Sequence, residues 1–455
     1  MIQSITGFFV SLFNRWMPDA FVVAVILTIF TAIMAVLAAD FSPSDTVLSW
    51  GDSIWNLLRF TNQVVLTLLF GHAVAHTPLV HKGLGMLAGK VHSAKVAYSL
   101  ACFITGVCAL LSWGLSLIVG GILARSIGER CKKEGIIIHY PLLVAASYSG
   151  FVLFHQGLSG TIPLTIATPD HFLESTMGIV PFSETVFSSW SMSLAAIILI
   201  TLPVVMTRLR PADDECEPLS DALLAHSEAV EAAADLKALE DPHEAPTPAS
   251  KLDHWRPLNW VLIAAGLYYL GTHFFVREQG LNLDILNFAF LMLGLGLSRS
   301  LAHFVELITD AAKIIGPYLL QYPFYAGIAG IMLASGLAQM VVDVFINYSD
   351  ADTLPIAAFI SAAILNIFIP TGGGQWAVQG PIMMDAAINL GADLPLVAMA
   401  VALGDQLTNL IQPIVIVPVL AIAGLHIRQV MGYMVMALAW CGLVFLLGLC
   451  AIVFL

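Results

Sequence analysis

Apolar residues run along this chain in blocks of about twenty or more, divided by short polar breaks, a spacing that predicts membrane-spanning helices. The first block, residues 21–39, is too long for the apolar core of a cleaved signal, and residues 1–17 carry a single cation, Arg15. This block is therefore read as the first span (19–39), preceded by a short interfacial helix.

Two blocks do not fit a plain span. Residues 96–124 are apolar, flanked by cations at both ends, and interrupted by Ser112-Trp113-Gly114-Leu115-Ser116. They are too long for one ordinary span and too short for two with a turn. A re-entrant hairpin over 96–128, entering from the cytoplasm, satisfies all of this. Such backbone is tolerated at membrane depth only inside protein or along a cavity. Residues 354–390 repeat the pattern around Pro370-Thr371-Gly372-Gly373-Gly374-Gln375-Trp376, and no Lys or Arg lies between Lys313 and Arg428. This second hairpin is expected to enter from outside.

Adding 259 joins the halves. Span 19–39 maps to 278–298, 56–80 to 315–339, 96–128 to 355–387, and 136–172 to 395–431. The interval from Ser112 to Ser149 equals that from Thr371 to Thr408. The segments after the hairpins are each polar near the middle. One carries Ala146-Ser147-Tyr148-Ser149-Gly150 and His155-Gln156-Gly157-Leu158-Ser159-Gly160, the other Gly404-Asp405-Gln406-Leu407-Thr408-Asn409 and Gln412-Pro413.

The predicted fold is an all-α polytopic membrane protein of two inverted repeats, with about nine transmembrane helices, two re-entrant hairpins and two broken helices (136–172 and 395–425). The first repeat covers 1–210, an acidic cytoplasmic linker 211–257, a linking span 258–277, and the second repeat 278–455. Paired discontinuous segments at matching places point to a transporter's substrate site. Small residues serving helix packing are the alternative for any one of these positions.

Composition agrees, at 58% hydrophobic, 11% charged and a mean hydropathy of +0.88, and excludes an ordinary soluble domain. The net charge of −13 says less, because residues 211–257 hold 12 acidic and 3 basic residues. That stretch reads as a solvated linker. Most cations fall where the positive-inside rule puts cytoplasmic ends, which places the N-terminus inside. Six scattered cysteines with no CxxC pair read as packing residues.

The hairpin tips and broken segments contain no Lys or Arg. A carboxylate held there needs half-helix N-termini and neutral side chains. The substrate-binding candidates are Ser112, Trp113, Gly114, Ser147, Ser149 and Gly150 in the first half. In the second they are Thr371, Gly372, Gly373, Gly374, Gln375, Thr408 and Asn409. Asp405 costs roughly 2.5–3.5 kcal/mol to place at mid-membrane, which marks it for Na+ or H+ coupling, with a hydrogen-bonded strut as the alternative. His155 is the matching proton candidate, or a satisfied buried histidine. His72 and His76 lie one turn apart without an evident third ligand and are read as interfacial. Trp113 and Trp376 wall the cavity or anchor the tips, and Asp385 is expected near the surface. No cofactor and no metal beyond Na+ are expected. The expected partners are a small monocarboxylate and the lipid bilayer, with no nucleic acid.

The run Pro370-Thr371-Gly372-Gly373-Gly374-Gln375-Trp376-Ala377-Val378-Gln379-Gly380-Pro381 resembles the bacterial short-chain fatty acid transporter family, as does Arg15-Trp16-Met17-Pro18-Asp19. The resemblance extends along nearly the full chain. It implies uptake of acetate-to-butyrate-sized acids or acetoacetate across a bacterial inner membrane. It also implies a place in the ion transporter superfamily, an elevator-type motion and a homodimer. That superfamily's Ser-Asn-Thr tips are replaced here by Ser112-Trp113-Gly114 and Thr371-Gly372-Gly373, so its dicarboxylate and sodium-site assignments do not carry over. An anion channel is the nearer rival. An intramembrane hydrolase is the other, since Gly157-Leu158-Ser159-Gly160 matches a GxSG pattern. A base so close to its nucleophile on one segment does not recreate a triad.

Overall fold

Every regular element is helical among the described residues, which in this computed structural model are 2–169, 171–225, 247–277, 279–281, 283–313 and 315–454. The middle of the acidic linker, 226–246, lies outside them. The first half contains α1 (Ile2–Trp16), α2 (Ala20–Ala38), α3 (Pro43–Ser53), α4 (Leu58–Ala75), α5 (Pro78–Gly89), α6 (Ala94–Leu111) and α7 (Trp113–Lys133). It continues through α8 (Tyr140–Ser149), a 3-10 stretch Gly150–Gln156, α9 (Thr161–Ile166) and α10 (Ser189–Arg208). The second half contains α11 (Arg256–Gly271), α12 (Leu283–Leu297), α13 (Leu301–Ala312), α14 (Gly316–Ala334) and α15 (Leu337–Ile346). It closes with α16 (Leu354–Phe368), α17 (Gly372–Leu390), α18 (Leu394–Asn409), α19 (Pro413–Ala423) and α20 (Ile427–Phe454).

Helix bounds follow local chemistry. Asp393 caps α18 by accepting from the Leu396 N–H at 2.8 Å, and Pro395 follows in its first turn, where a missing N–H costs nothing. Ser300 caps α13 through the His303 N–H at 3.1 Å. Six helices are long and apolar enough to cross a membrane, or nine if each bent pair forms one span, among the described residues.

The offset of 259 survives at this level of detail. Added to Pro43–Ser53 it gives 302–312, against the observed Leu301–Ala312; added to Leu58–Ala75 it gives 317–334, against Gly316–Ala334. Trp113–Lys133 likewise becomes 372–392, against Gly372–Leu390. Two features were not read from the sequence. The blocks 56–80 and 315–339, expected as straight spans, are both broken: α4 and α5 meet at 61°, and α14 and α15 at 70°. Thr77-Pro78 restarts the first as a new helix, and Gly336, at φ +77°, ends the second in a left-handed turn.

Burial separates the core from its surroundings. Of the positions in the most apolar 18-residue window, 94% are buried in Tyr140–Ile166, against 22% in both Ala20–Ala38 and Ile427–Phe454. The latter therefore form the outer shell of the chain. In the core, α18 packs along α16, α19 along α7, and α8 against both α6 and α7.

On the face where α7 and α10 end in cations, residues 210–224 form a strap. Lys132 Nζ donates to the Leu219 carbonyl and Arg125 Nη2 to that of Leu223, both at 2.6 Å. Leu223 lies over Gly424 at the end of α19. The Glu217 N–H donates to His139 Nδ1 at 3.0 Å, and burial holds that imidazole down at about 4, neutral at ordinary pH.

Candidate functional site

The site begins with two helix reversals. The backbone at Ser112 is extended (φ −156°, ψ 129°), and α7 turns back along α6. Ser116 Oγ on α7 donates to the Thr105 carbonyl on α6 at 2.9 Å, tying the two arms together. The second reversal, between α16 and α17, is held the same way. Gln375 Nε2 donates to the Ala362 carbonyl at 2.9 Å, and Gln379 Nε2 to Ser361 Oγ at 3.0 Å. Thr371 caps α17 by accepting from the Gly374 N–H at 3.0 Å. This leaves the first-turn N–H groups of Gly372 and Gly373 without intrahelical partners.

Both tips rest on one short stretch, residues 155–161. At the first tip, the Leu158 N–H donates to the Leu110 carbonyl and the Trp113 N–H to Ser159 Oγ, each at 2.8 Å. At the second, a Cβ added to Gly372 would stand 2.9 Å from His155 Cε1 and 3.2 Å from Thr161 Cβ. Only glycine lets the tip sit this close. Ser159→Ala should remove the acceptor that caps the first tip and lower stability by about 1 kcal/mol, read as a small fall in Tm for the purified protein with uptake retained.

At the centre, His155 Nε2 stands 3.0 Å from Asp405 Oδ1, and both side chains are 0% exposed. The backbone holds them there. The His155 N–H donates to Gln406 Oε1 at 3.0 Å, and Gln406 Nε2 donates to Gln156 Oε1 at 3.2 Å. Asn409 Nδ2 donates to Asp405 Oδ1 at 3.1 Å. Asn366 Nδ2, from the arm of the second hairpin, reaches the Asp405 carbonyl, Thr408 Oγ1 and Asn409 Oδ1, and Tyr148 donates to the Asn409 carbonyl at 2.6 Å. Asp405 Oδ2, His155 Nδ1, Asn366 Oδ1, Gln375 Oε1, Gln412 Oε1 and Ser112 Oγ are buried with no hydrogen-bond partner among the described residues. Buried polar groups are rarely left so, and these six lie on the two hairpins and the segments that follow them.

The sequence candidates divide accordingly. Gly372, His155, Asp405, Thr408 and Asn409 come together, with Thr371 and Gln375 on the same tip. Ser112, Trp113 and Gly114 form the first tip, where Gly114 packs on Thr67. Ser147, Ser149 and Gly150 point elsewhere. Ser147 Oγ donates to the Gly120 carbonyl, Ser149 Oγ to that of Ala146, and Gly150 lies tight against Gly106 and Cys102. These three seat the first broken segment on the hairpin. Trp376 is fully buried beside Gly380, while Asp385 is exposed. His72 and His76 stack at 3.8 Å, and no group of three His, Cys, Asp or Glu placed to hold a metal occurs among the described residues. Asn366, Ser361, Gln379, Gln406 and Tyr148 were missed. The signal for Gln375 and Gln379 was present, as two amides one turn apart in an otherwise apolar stretch.

Comparison with known proteins adds the following. A family model described as short chain fatty acid transporter matches residues 1–452. A protein of Escherichia coli strain K12, provisionally named a short-chain fatty acid transporter, is 35% identical over 451 residues, covering 99% of each chain. One of Haemophilus influenzae with the same provisional name is 33% identical over 456 residues, again covering 99% of each. The crystal structure of the Alcanivorax borkumensis YdaH transporter aligns over 96% of this chain and 98% of that one. Its TM-score is 0.46 and its identity 15%, too distant to bear on function.

Proposed function

The chain belongs to the short-chain fatty acid transporter family, and from that premise we propose that it takes up acetate-to-butyrate-sized acids or acetoacetate together with a proton. Membership makes it a transporter rather than an enzyme. The finer reading rests on one observation, the buried His155–Asp405 pair beneath the Gly372 tip.

The tips and broken segments hold no Lys or Arg, so a carboxylate bound there needs a positive partner from another group. The free Nδ1 of His155 is where a proton enters, since Nε2 is turned to Asp405. Once protonated, His155 supplies the cation that the tips and broken segments otherwise lack. A carboxylate then binds at the N–H groups of Gly372 and Gly373, next to that charge. Proton and substrate each raise the other's affinity by the same factor, which is the thermodynamic content of symport. A second reading has one support of its own: Asp405 Oδ2 and Asn366 Oδ1 are unpartnered buried oxygens, a donor type that suits Na+.

In this reading the chain is two inverted repeats in a bacterial inner membrane, with the strap face and the N-terminus cytoplasmic, working as a homodimer. The recurrence of helix bounds at an offset of 259 supports the repeats. The high burial of the hairpins' neighbours against an outer shell supports an elevator-type displacement of one against the other. Proteoliposomes loaded at pH 7.5 and diluted to pH 6 should take up labelled butyrate without Na+, saturably and faster than protein-free liposomes, into which undissociated butyric acid also diffuses, and with a larger protein-dependent rate than for succinate. Accumulation that needs Na+ and ignores the pH step would favour the second reading. Flux linear in butyrate and indifferent to both gradients would make the protein a channel.

A further inference from the structure

The basic face holds a second constellation, away from the hairpin tips. An apolar groove of about 460 Å³ runs between α10 and α20, walled by Ile200, Val204, Met436 and Leu443. Trp440 also lines it, and its ring nitrogen is already satisfied by Thr201 Oγ1 at 3.0 Å. The groove therefore offers hydrocarbon rather than an unmet donor. At its basic end it opens into a pocket of about 1060 Å³, and the two share Val204 and Arg208.

The charged residues lining this pocket are Lys95, Arg208, Arg210 and Asp213. Arg210 is engaged, paired with Asp213 and donating to the Ile137 carbonyl at 3.0 Å. Lys95 and Arg208 are exposed and have neither a carboxylate nor a hydrogen-bond partner among the described residues. Once Asp213 is set against Arg210, the pocket keeps two uncompensated positive charges.

Each half alone is ordinary. Lipid-facing helices carry apolar grooves, and cations are common at membrane edges. End to end, however, they match the two parts of one molecule. Basic pockets between helices at this face are where anionic lipid headgroups bind. We propose that this composite is a binding site for an anionic phospholipid, with an acyl chain between α10 and α20 and the phosphate against Lys95 and Arg208. Lys95 stands at the start of the first hairpin's entering arm and Arg208 at the end of α10. One bound lipid therefore joins the hairpin to the shell.

The test is native mass spectrometry on the full chain in detergent. Wild type and variants are titrated with phosphatidylglycerol, with phosphatidylcholine of the same chains, and with inorganic phosphate. Each Lys or Arg near a lipid headgroup contributes roughly fivefold in binding. Phosphatidylglycerol should therefore bind wild type roughly tenfold better than phosphatidylcholine, and Lys95→Gln with Arg208→Gln should weaken it roughly twentyfold. Val204→Trp, at an exposed position where groove and basic pocket meet, narrows that junction while keeping both cations in the chain, and should also weaken binding. Removing two other cations, with Lys90→Gln and Arg428→Gln, should change it less than roughly twofold. Equal binding of the two lipids would overturn the proposal. So would an equal loss in the Lys90/Arg428 variant, which would indicate diffuse attraction. Inorganic phosphate competing fully, with Val204→Trp silent, would reduce the site to an anion pocket and overturn the lipid assignment. If the double glutamine variant does not remain monodisperse, the Val204→Trp and two-lipid comparisons decide alone.

Discussion

Asp405→Asn is expected to abolish gradient-driven accumulation of butyrate while leaving a folded, correctly inserted protein. The choice of asparagine follows from the pair's burial. Removing His155 would leave the Asp405 carboxyl without its partner at a site where neither side chain is exposed, and breaking a buried pair from one side costs roughly 3–5 kcal/mol. The fold would then be lost together with the function. Asparagine instead keeps an oxygen for His155 Nε2 and for Asn409 Nδ2, and leaves no charge behind. What disappears is the carboxylate that faces His155 Nε2, and with it the pair on which the proposed coupling rests. Coupling energies of this kind run to roughly 1–3 kcal/mol, or 5- to 150-fold, so the gradient-dependent uptake rate above that of protein-free liposomes should fall to near zero. The measurement is uptake into proteoliposomes at matched protein content, beside a thermal unfolding scan. Concentrative uptake at the wild-type level in this variant would return Asp405 to a structural role.

Gly372→Ala should have the next largest effect. Its Cβ would come within 2.9 Å of the His155 ring and 3.2 Å of Thr161. A ring fixed on one side by Asp405 and on its backbone by Gln406 has little room to give. Overpacking costs typically 1–3 kcal/mol; if all of it falls on the transporting state, uptake at low butyrate drops by roughly 5- to 150-fold. Gly271→Ala is the control, because nothing lies within 4 Å of a Cβ there. If the two variants transport alike, the close approach of tip and imidazole has no part in the mechanism.

How much of this was visible in the sequence varies with the length scale of the feature. The helix reversals at Ser112 and Thr371 could be read because Ser112-Trp113-Gly114 and Thr371-Gly372-Gly373 interrupt apolar runs of the wrong length. The register could be read because an offset repeats along the chain. His155 and Asp405 each stood out, as titratable groups at membrane depth do. That they meet could not be read, because adding 259 to 155 gives 414, not 405. Their contact comes from how the first broken segment crosses α18, which is a matter of packing rather than of register. Ser147 and Ser149 show the converse problem. A small hydroxyl on a buried helix looks the same in sequence whether it faces a cavity or a neighbouring backbone carbonyl. The structure gives both of these to carbonyls. The bends after α4 and α14 did leave signals, Thr77-Pro78 and Gly336, but hydropathy windows average across them.

The seating of both hairpin tips on residues 155–161 has a mechanical consequence. A barrier sealed at two faces usually needs two plugs that move independently, and it leaks whenever both are open. Here both hairpin tips meet one seven-residue spacer, with the Trp113 N–H on Ser159 and Gly372 against His155. A shift of that spacer would therefore move the seats of both tips at once. In the proposed transport reading, the two faces would be linked at this one point, with no signal relayed through the surrounding helices.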